Sequence, residues 1–207
     1  MKVLKNAYAG DEELFAKAFY FAMKAHESQF RKGTDRPYIE HPIRVATLLM
    51  ELKAPKDVVV AGFLHDVVED TGQGLEEIER LFGHHAAKLV SEVTEDKTLS
   101  WEERKAGTIE YLRKAPPEVL LLSFADKLDN IRSIKADYER NGESIWNRFS
   151  RPKASQEWYY AGLASAFGER ADALSRTFFL SEFLRHCAAL FPSAFPDGGK
   201  RKKGAQK

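Results

Sequence analysis

Four polar residues interrupt an otherwise apolar helical stretch: His65, Asp66, Glu69 and Asp70 follow Val58-Val59-Val60-Ala61-Gly62-Phe63-Leu64. A helix that is apolar nearly all round belongs at the centre of a fold. Burying four such groups without partners there is costly. His65 and Glu69 are four residues apart, as are Asp66 and Asp70, so the four line adjoining edges of one helical face. A cation facing that edge removes the cost. His65 and Asp66 can ligate it, and Glu69 and Asp70 can handle protons beside it. A lone His-Asp pair is better explained by an internal salt-bridge cluster, or by a solvated helix end running into Thr71-Gly72. Four such groups on one buried helix are not.

The same oddity recurs further on. Asp126, Asp129 and Asn130 interrupt the apolar run Leu120-Leu121-Leu122-Ser123-Phe124-Ala125 and the following Leu128 and Ile131. Asp126 and Asn130 face the same way; alone, Asp126 is better explained by a pair with Lys127 or a distant arginine. A third element is the stretch from Arg31 to Pro42, in which His41 sits at a helix start and Arg31 and Lys32 precede it in a loop where they can meet phosphate. His41, His65, Asp66 and Asp126 together give two imidazoles and two carboxylates. That mixed shell suits manganese, iron or zinc better than calcium. No cysteine ligand is present, which argues against a closed structural zinc site. An open site of this kind lowers the pKa of water and polarises a phosphoryl oxygen, with Glu69 or Asp70 as general base or acid.

The elements that must position these residues are helical. Residues 11–27 place Leu14, Phe15, Ala18, Phe19 and Ala22 on one face. Pro42 falls in the first turn of a second helix, and Pro55 opens a third, predicted over about 55–70. Helices are predicted over 75–82, stopped by Gly83, and over 84–95. Ser100 with Glu103 forms a capping box opening another that runs to about Lys114. Pro116-Pro117 separates it from a largely buried helix carrying Asp126. The pattern weakens between Asp137 and Ser155, which predicts a loop or short turns, and helices close the chain over 155–167 and 170–191. No alternating strand pattern of useful length appears.

The 207 residues, 43% hydrophobic and 30% charged, describe a globular domain able to bury a full core. Cys187 is the sole cysteine, which excludes an intrachain disulfide and fits a reducing compartment. Nothing resembles a signal peptide or membrane span, so a cytoplasmic location is expected. A net charge of +1 gives no general case for binding nucleic acid or a membrane. The basic run Lys200-Arg201-Lys202-Lys203 lies in a glycine-containing end expected to be disordered. Phe178, Phe179, Leu180, Phe183 and Leu184 in the last helix either close the fold or form a homodimer face.

The order His, His-Asp, Asp resembles the HD superfamily of metal-dependent phosphohydrolases. The words Pro37-Tyr38-Ile39-Glu40-His41-Pro42, Leu64-His65-Asp66-Val67-Val68-Glu69-Asp70-Thr71 and Ala125-Asp126-Lys127-Leu128-Asp129-Asn130 are similar to RelA/SpoT hydrolase domains. Glu95-Asp96-Lys97-Thr98-Leu99 with Glu103-Arg104-Lys105 resembles the single-domain small alarmone hydrolases. The resemblance implies an all-α, HD-type domain over 1–168; the residues after it read as a C-terminal helical extension over 169–193 and a disordered basic tail over 194–207. It implies a manganese enzyme that removes the 3′-pyrophosphate of (p)ppGpp, a small-molecule nucleotide, with His41, His65, Asp66 and Asp126 as ligands. Glu69 and Asp70 would activate water, Arg31 would pack on guanine and Asn130 would contact the ribose. Lys32 and Lys97 would meet phosphates. Asp129 departs from the pattern: an aromatic residue or histidine usually stands there, and the aspartate adds negative charge near a polyanion site.

Two other readings use the same residues. One keeps the site and changes the substrate to NADPH or another nucleotide carrying a 2′- or 3′-phosphate. The other is a non-catalytic nucleotide-binding regulator, against which the full set of ligands and carboxylates argues. The remaining polar and aromatic signals have plain explanations. His84 and His85 fit capping or solvation at a helix start. Trp158, Tyr159 and Tyr160 read as core. Arg148, Arg151 and Lys153 form, less strongly, a phosphate-facing rim.

Overall fold

A run of small and β-branched apolar residues can be buried on every side only if other helices surround it. Helix α3 (Lys56–Leu64) meets that condition, with Val58 through Leu64 all buried. In the computed structural model, which describes residues 7–174 and 177–196, α1 (Glu12–Ala25), α2 (Glu40–Glu51) and α6 (His84–Val93) pack around it. Each contributes one apolar face: Phe15, Ala18 and Ala22 from α1, Val45, Ala46, Leu48 and Leu49 from α2, and Ala86, Leu89 and Val90 from α6. Burying one such valine or leucine contributes roughly 1.5–3 kcal/mol of transfer free energy.

The tightest approach is between α2 and α3. A Cβ on Gly62 would lie 2.6 Å from Leu49 Cδ1 and 3.3 Å from the Ala46 Cα. Leu49 is fully buried and has no solvent to rotate into. Gly62→Ala is therefore expected to destabilise the protein by about 1–3 kcal/mol through overpacking. Urea denaturation reads this directly, and an unchanged midpoint would mean that the two helices are not in such close contact.

After α3 the backbone departs from the predicted continuous helix. The ladder is interrupted at His65–Asp66, and a separate single turn, α4 (Val67–Asp70), follows. The Gly62 carbonyl accepts a hydrogen bond from His65 Nδ1 at 3.0 Å. A side chain thus competes for a carbonyl within the last turn of the helix. Helix α5 (Leu75–Phe82) ends at Gly83, whose φ of 90° is the left-handed conformation that glycine adopts without strain. Helix α7 (Trp101–Leu112) opens with the predicted capping box: Ser100 Oγ accepts from the Glu103 N–H at 3.2 Å, and Glu103 Oε2 accepts from the Ser100 N–H at 2.9 Å.

Helix α8 (Pro117–Asn141) runs further than its apolar pattern foretold, and a 3₁₀ helix (Gly142–Arg148) follows where a loop or short turns are predicted. The polar stretch after Ile134 hides this continuation because its charges are used locally. Arg148 Nη2 donates to Asp137 Oδ2 at 2.7 Å, and Lys153 Nζ lies 2.7 Å from Glu143 Oε1. Those two basic residues of the proposed rim are thus already engaged with carboxylates.

The chain divides into two compact units between Asp129 and Asn130. The second contains the packed pair α9 (Lys153–Glu169) and α10 (Thr177–Leu190). Its core is aromatic: Tyr160 stacks on Phe191 at 5.7 Å, and Phe167 meets Phe183 edge-on at 5.5 Å. Phe179, Leu180 and Phe183 close this unit, whereas Phe178 is 65% exposed. Among the described residues there is no named strand, and no helix is long and apolar enough to cross a membrane. Of the predicted tail over 194–207, residues 197–207, with the basic run, lie outside them.

Candidate metal centre

Three elements of the first unit bring their polar residues to one place. Helix α2 carries His41 in its first turn, the interruption after α3 carries His65 and Asp66, and α8 carries Asp126. His41 Nε2 and His65 Nε2 are 3.2 Å apart. Asp66 Oδ2 lies 3.1 Å from His65 Nε2 and 3.5 Å from His41 Nε2. Asp126 Oδ1 lies 3.2 Å from His41 Nε2 and 3.7 Å from His65 Nε2. Both imidazoles are buried.

The outer nitrogen of each ring is spoken for. His41 Nδ1 is 2.7 Å from Asp129 Oδ2, and His65 Nδ1 is 3.0 Å from the Gly62 carbonyl. A carboxylate and a carbonyl can only accept, so both Nδ1 atoms carry the hydrogen. In the neutral rings, both Nε2 atoms therefore present lone pairs toward each other and toward two carboxylate oxygens. Such a convergence needs positive charge. In the protein alone, that demand shows in the titration of the groups. Burial opposes charging His65, yet the Asp66 and Asp126 carboxylates hold its pKa well above the usual value. Asp126 is held well below the usual carboxylate range despite its burial, by Lys127 and the two histidines.

The donor set fits a divalent transition-metal ion. Metal–ligand bonds of about 2.1 Å at right angles put neighbouring donors about 3 Å apart, which is close to the spacings above. His41, His65 and Asp126 each offer an atom within 4.8 Å of the others, and Asp66 Oδ2 adjoins both imidazoles. Asp126 also satisfies the plainer reading, since its Oδ2 takes Lys127 Nζ at 2.5 Å while Oδ1 faces the histidines.

Beside this cluster stand the proton-handling residues, with Lys97 and Arg31 next to them. Glu69 and Asp70 follow Asp66 on α4. Burial raises the Glu69 pKa, and the neighbouring carboxylates of Glu95, Asp66 and Asp70 add to the rise against one opposing bond from the Glu95 N–H. Lys97 Nζ donates to Asp70 Oδ1 at 2.8 Å and to the Glu69 carbonyl at 2.5 Å. Arg31 lies over the Tyr38 ring at 5.6 Å. Lys32 is exposed in the turn between Arg31 and Arg36, which Gly33 completes at a φ of 73°. Asn130 is half-buried, one helical turn beyond Asp126.

Sequence reasoning passes over several residues that shape this site. Tyr38 donates its hydroxyl to Asp66 Oδ2 at 2.6 Å, with Asp70 Oδ2 a further 3.4 Å contact. Burial and the Asp66 carboxylate drive the phenol pKa far up, so it stays a donor. The buried His26 ring lies behind Tyr38 at 4.7 Å, and Gln29 ties His26 Nδ1 to the Asp70 carbonyl. Asp129 is the largest revision. It is 2% exposed and paired with both His41 and Arg44, so its charge is spent internally rather than added to a polyanion site.

An HD domain family profile matches residues 18–154. The guanosine-3′,5′-bis(diphosphate) 3′-pyrophosphohydrolase MESH1 of Drosophila melanogaster is 40% identical over 126 residues, which cover 59% of this chain and 70% of that protein. Its Homo sapiens namesake is 44% identical over 117 residues, 55% of this chain and 65% of that protein. Among solved structures, lmo0812 from Listeria monocytogenes EGD-e aligns with a TM-score of 0.68 at 41% identity, covering 73% of this chain and 99% of that one. A structure described as a metazoan ortholog of SpoT that hydrolyzes ppGpp aligns with a TM-score of 0.65 at 32% identity, covering 83% and 93% respectively. The matched span contains His41, His65, Asp66 and Asp126 together with the helices that carry them, and the chain belongs to the HD domain family.

Proposed function

We propose that this chain hydrolyses the 3′-pyrophosphate of (p)ppGpp, giving GDP or GTP and pyrophosphate, with manganese held by His41, His65, Asp66 and Asp126. The observation that carries this reading is the convergence of those four side chains at 3.1–3.7 Å. It occurs in a chain 40% identical to a relative named for that reaction. A divalent cation there supplies Lewis-acid polarisation of a phosphoryl oxygen and a lowered pKa for the attacking water.

The chain's own residues supply the rest. Glu69, its carboxyl pKa raised by burial and by neighbouring carboxylates, takes a proton from the attacking water. Asp70 sits between the Tyr38 hydroxyl and the Lys97 ammonium, positioned to share in orienting that water. Lys97 is half-exposed and can exchange Asp70 for a phosphate oxygen. Arg31, over the Tyr38 ring at 5.6 Å, offers a flat cationic surface for a guanine base. Lys32 from its exposed turn would meet phosphate, and Asn130 the ribose.

The experiment is product analysis. Purified protein is incubated with ppGpp or with NADPH, with and without manganese, and products are separated by anion exchange. The expected result is manganese-dependent formation of GDP and pyrophosphate. Phosphate release from NADPH alone would move the site to another substrate. Turnover of neither, in protein shown to contain metal, would overturn the hydrolase reading.

A further inference from the structure

We infer that Asp129 and Arg44 act as a positioning pair for the metal centre, with Asp129 gripping the outer nitrogen of His41 and Arg44 holding Asp129 in place. The inference rests on His41 being a metal ligand, as proposed above. Asp126 and Asp129 are three residues apart on α8, on one face of the helix. Together they hold both nitrogens of a single imidazole: Asp126 Oδ1 is 3.2 Å from Nε2, and Asp129 Oδ2 is 2.7 Å from Nδ1. The second oxygen of Asp129 accepts a hydrogen bond from Arg44 Nε at 2.7 Å, and Arg44 Nη1 donates to Glu40 Oε2 at 3.1 Å.

The arrangement has three consequences. The Nδ1–H of His41 is fixed, so Nε2 is the atom left to bind metal. The ring cannot flip without breaking a charge-assisted bond. Asp129 itself is withheld from the metal, because both its oxygens are committed to partners on α2. Arg44 makes this arrangement tenable, since a carboxylate buried to this extent needs a cation. Outer partners of metal-bound histidines typically govern affinity by about 10–100-fold. His65 has a different outer partner, the neutral Gly62 carbonyl, so the two histidine ligands are held unequally.

The test is calorimetric titration of the chelator-stripped 207-residue chain with manganese chloride. Asp129→Asn is expected to weaken manganese binding by about 10–100-fold, with the helical circular dichroism of the metal-free protein unchanged. Should Asp129→Asn fail to fold, the unaltered protein loaded with diamagnetic zinc still decides. Its imidazole nitrogen resonances should show a protonated, hydrogen-bonded His41 Nδ1. Equal manganese affinity in a folded Asp129→Asn protein, or zinc on His41 Nδ1, would overturn the inference and leave the metal centre standing. A parent protein that binds no divalent cation would overturn both.

Discussion

Asp126→Ala is expected to lower the metal-dependent hydrolysis of ppGpp by about 10³-fold or more while the protein stays folded. Lewis-acid stabilisation of developing charge is worth several kcal/mol, and each 1.4 kcal/mol or so is a factor of ten in rate. Asp126 offers an oxygen to the same space as both imidazoles, and its other oxygen holds Lys127. Its removal thus takes away a proposed ligand and frees an ammonium beside it. In the metal-free protein Asp126 also pairs with Lys127 and helps hold His65 charged, so its deletion is expected to cost some stability as well as the metal. Calorimetry with manganese and a thermal melt of the metal-free form separate the two effects. Retained manganese affinity in the variant would remove Asp126 from the ligand set.

Glu69→Gln should separate chemistry from metal binding. General-base catalysis contributes typically about 10²–10⁴-fold, and kcat is expected to fall by that much with manganese affinity unchanged. The pH profile adds a sharper readout. Burial and nearby carboxylates raise the Glu69 pKa in the folded protein. A base must be deprotonated to act, so activity falls as pH drops through that raised value. The acid limb should therefore lie above the ordinary glutamate range, and Glu69→Gln should lack it. An unchanged limb in the variant would assign it to another group, with Asp70 next to be tested.

The groups that matter most were the easiest to read because they are local. His65, Asp66, Glu69 and Asp70 stand out since their immediate neighbours are apolar, and the central position of α3 follows from the same run of residues. The capping box at Ser100 and the stop at Gly83 are equally short-range signals. What escapes is decided by contacts across the chain. The interruption at His65–Asp66 depends on a side chain claiming the Gly62 carbonyl, which no periodicity reports. The full length of α8 is masked because Asp137 and its neighbours are polar and paired locally. Asp129 is visible as a carboxylate in an apolar helix, but its partners lie 85 and 88 residues away. Without them it reads as surplus charge instead of the outer support of His41.

The most direct measurement is a stepwise return of manganese to chelator-stripped protein, with bound metal and ppGpp turnover followed in the same samples. Turnover should be absent at the start and should rise in proportion to the first bound equivalent. The Asp126→Ala protein should show neither tight binding nor recovery. Full turnover in the stripped protein, or turnover that does not follow metal binding, would contradict a reaction run from the His41–His65–Asp66–Asp126 centre.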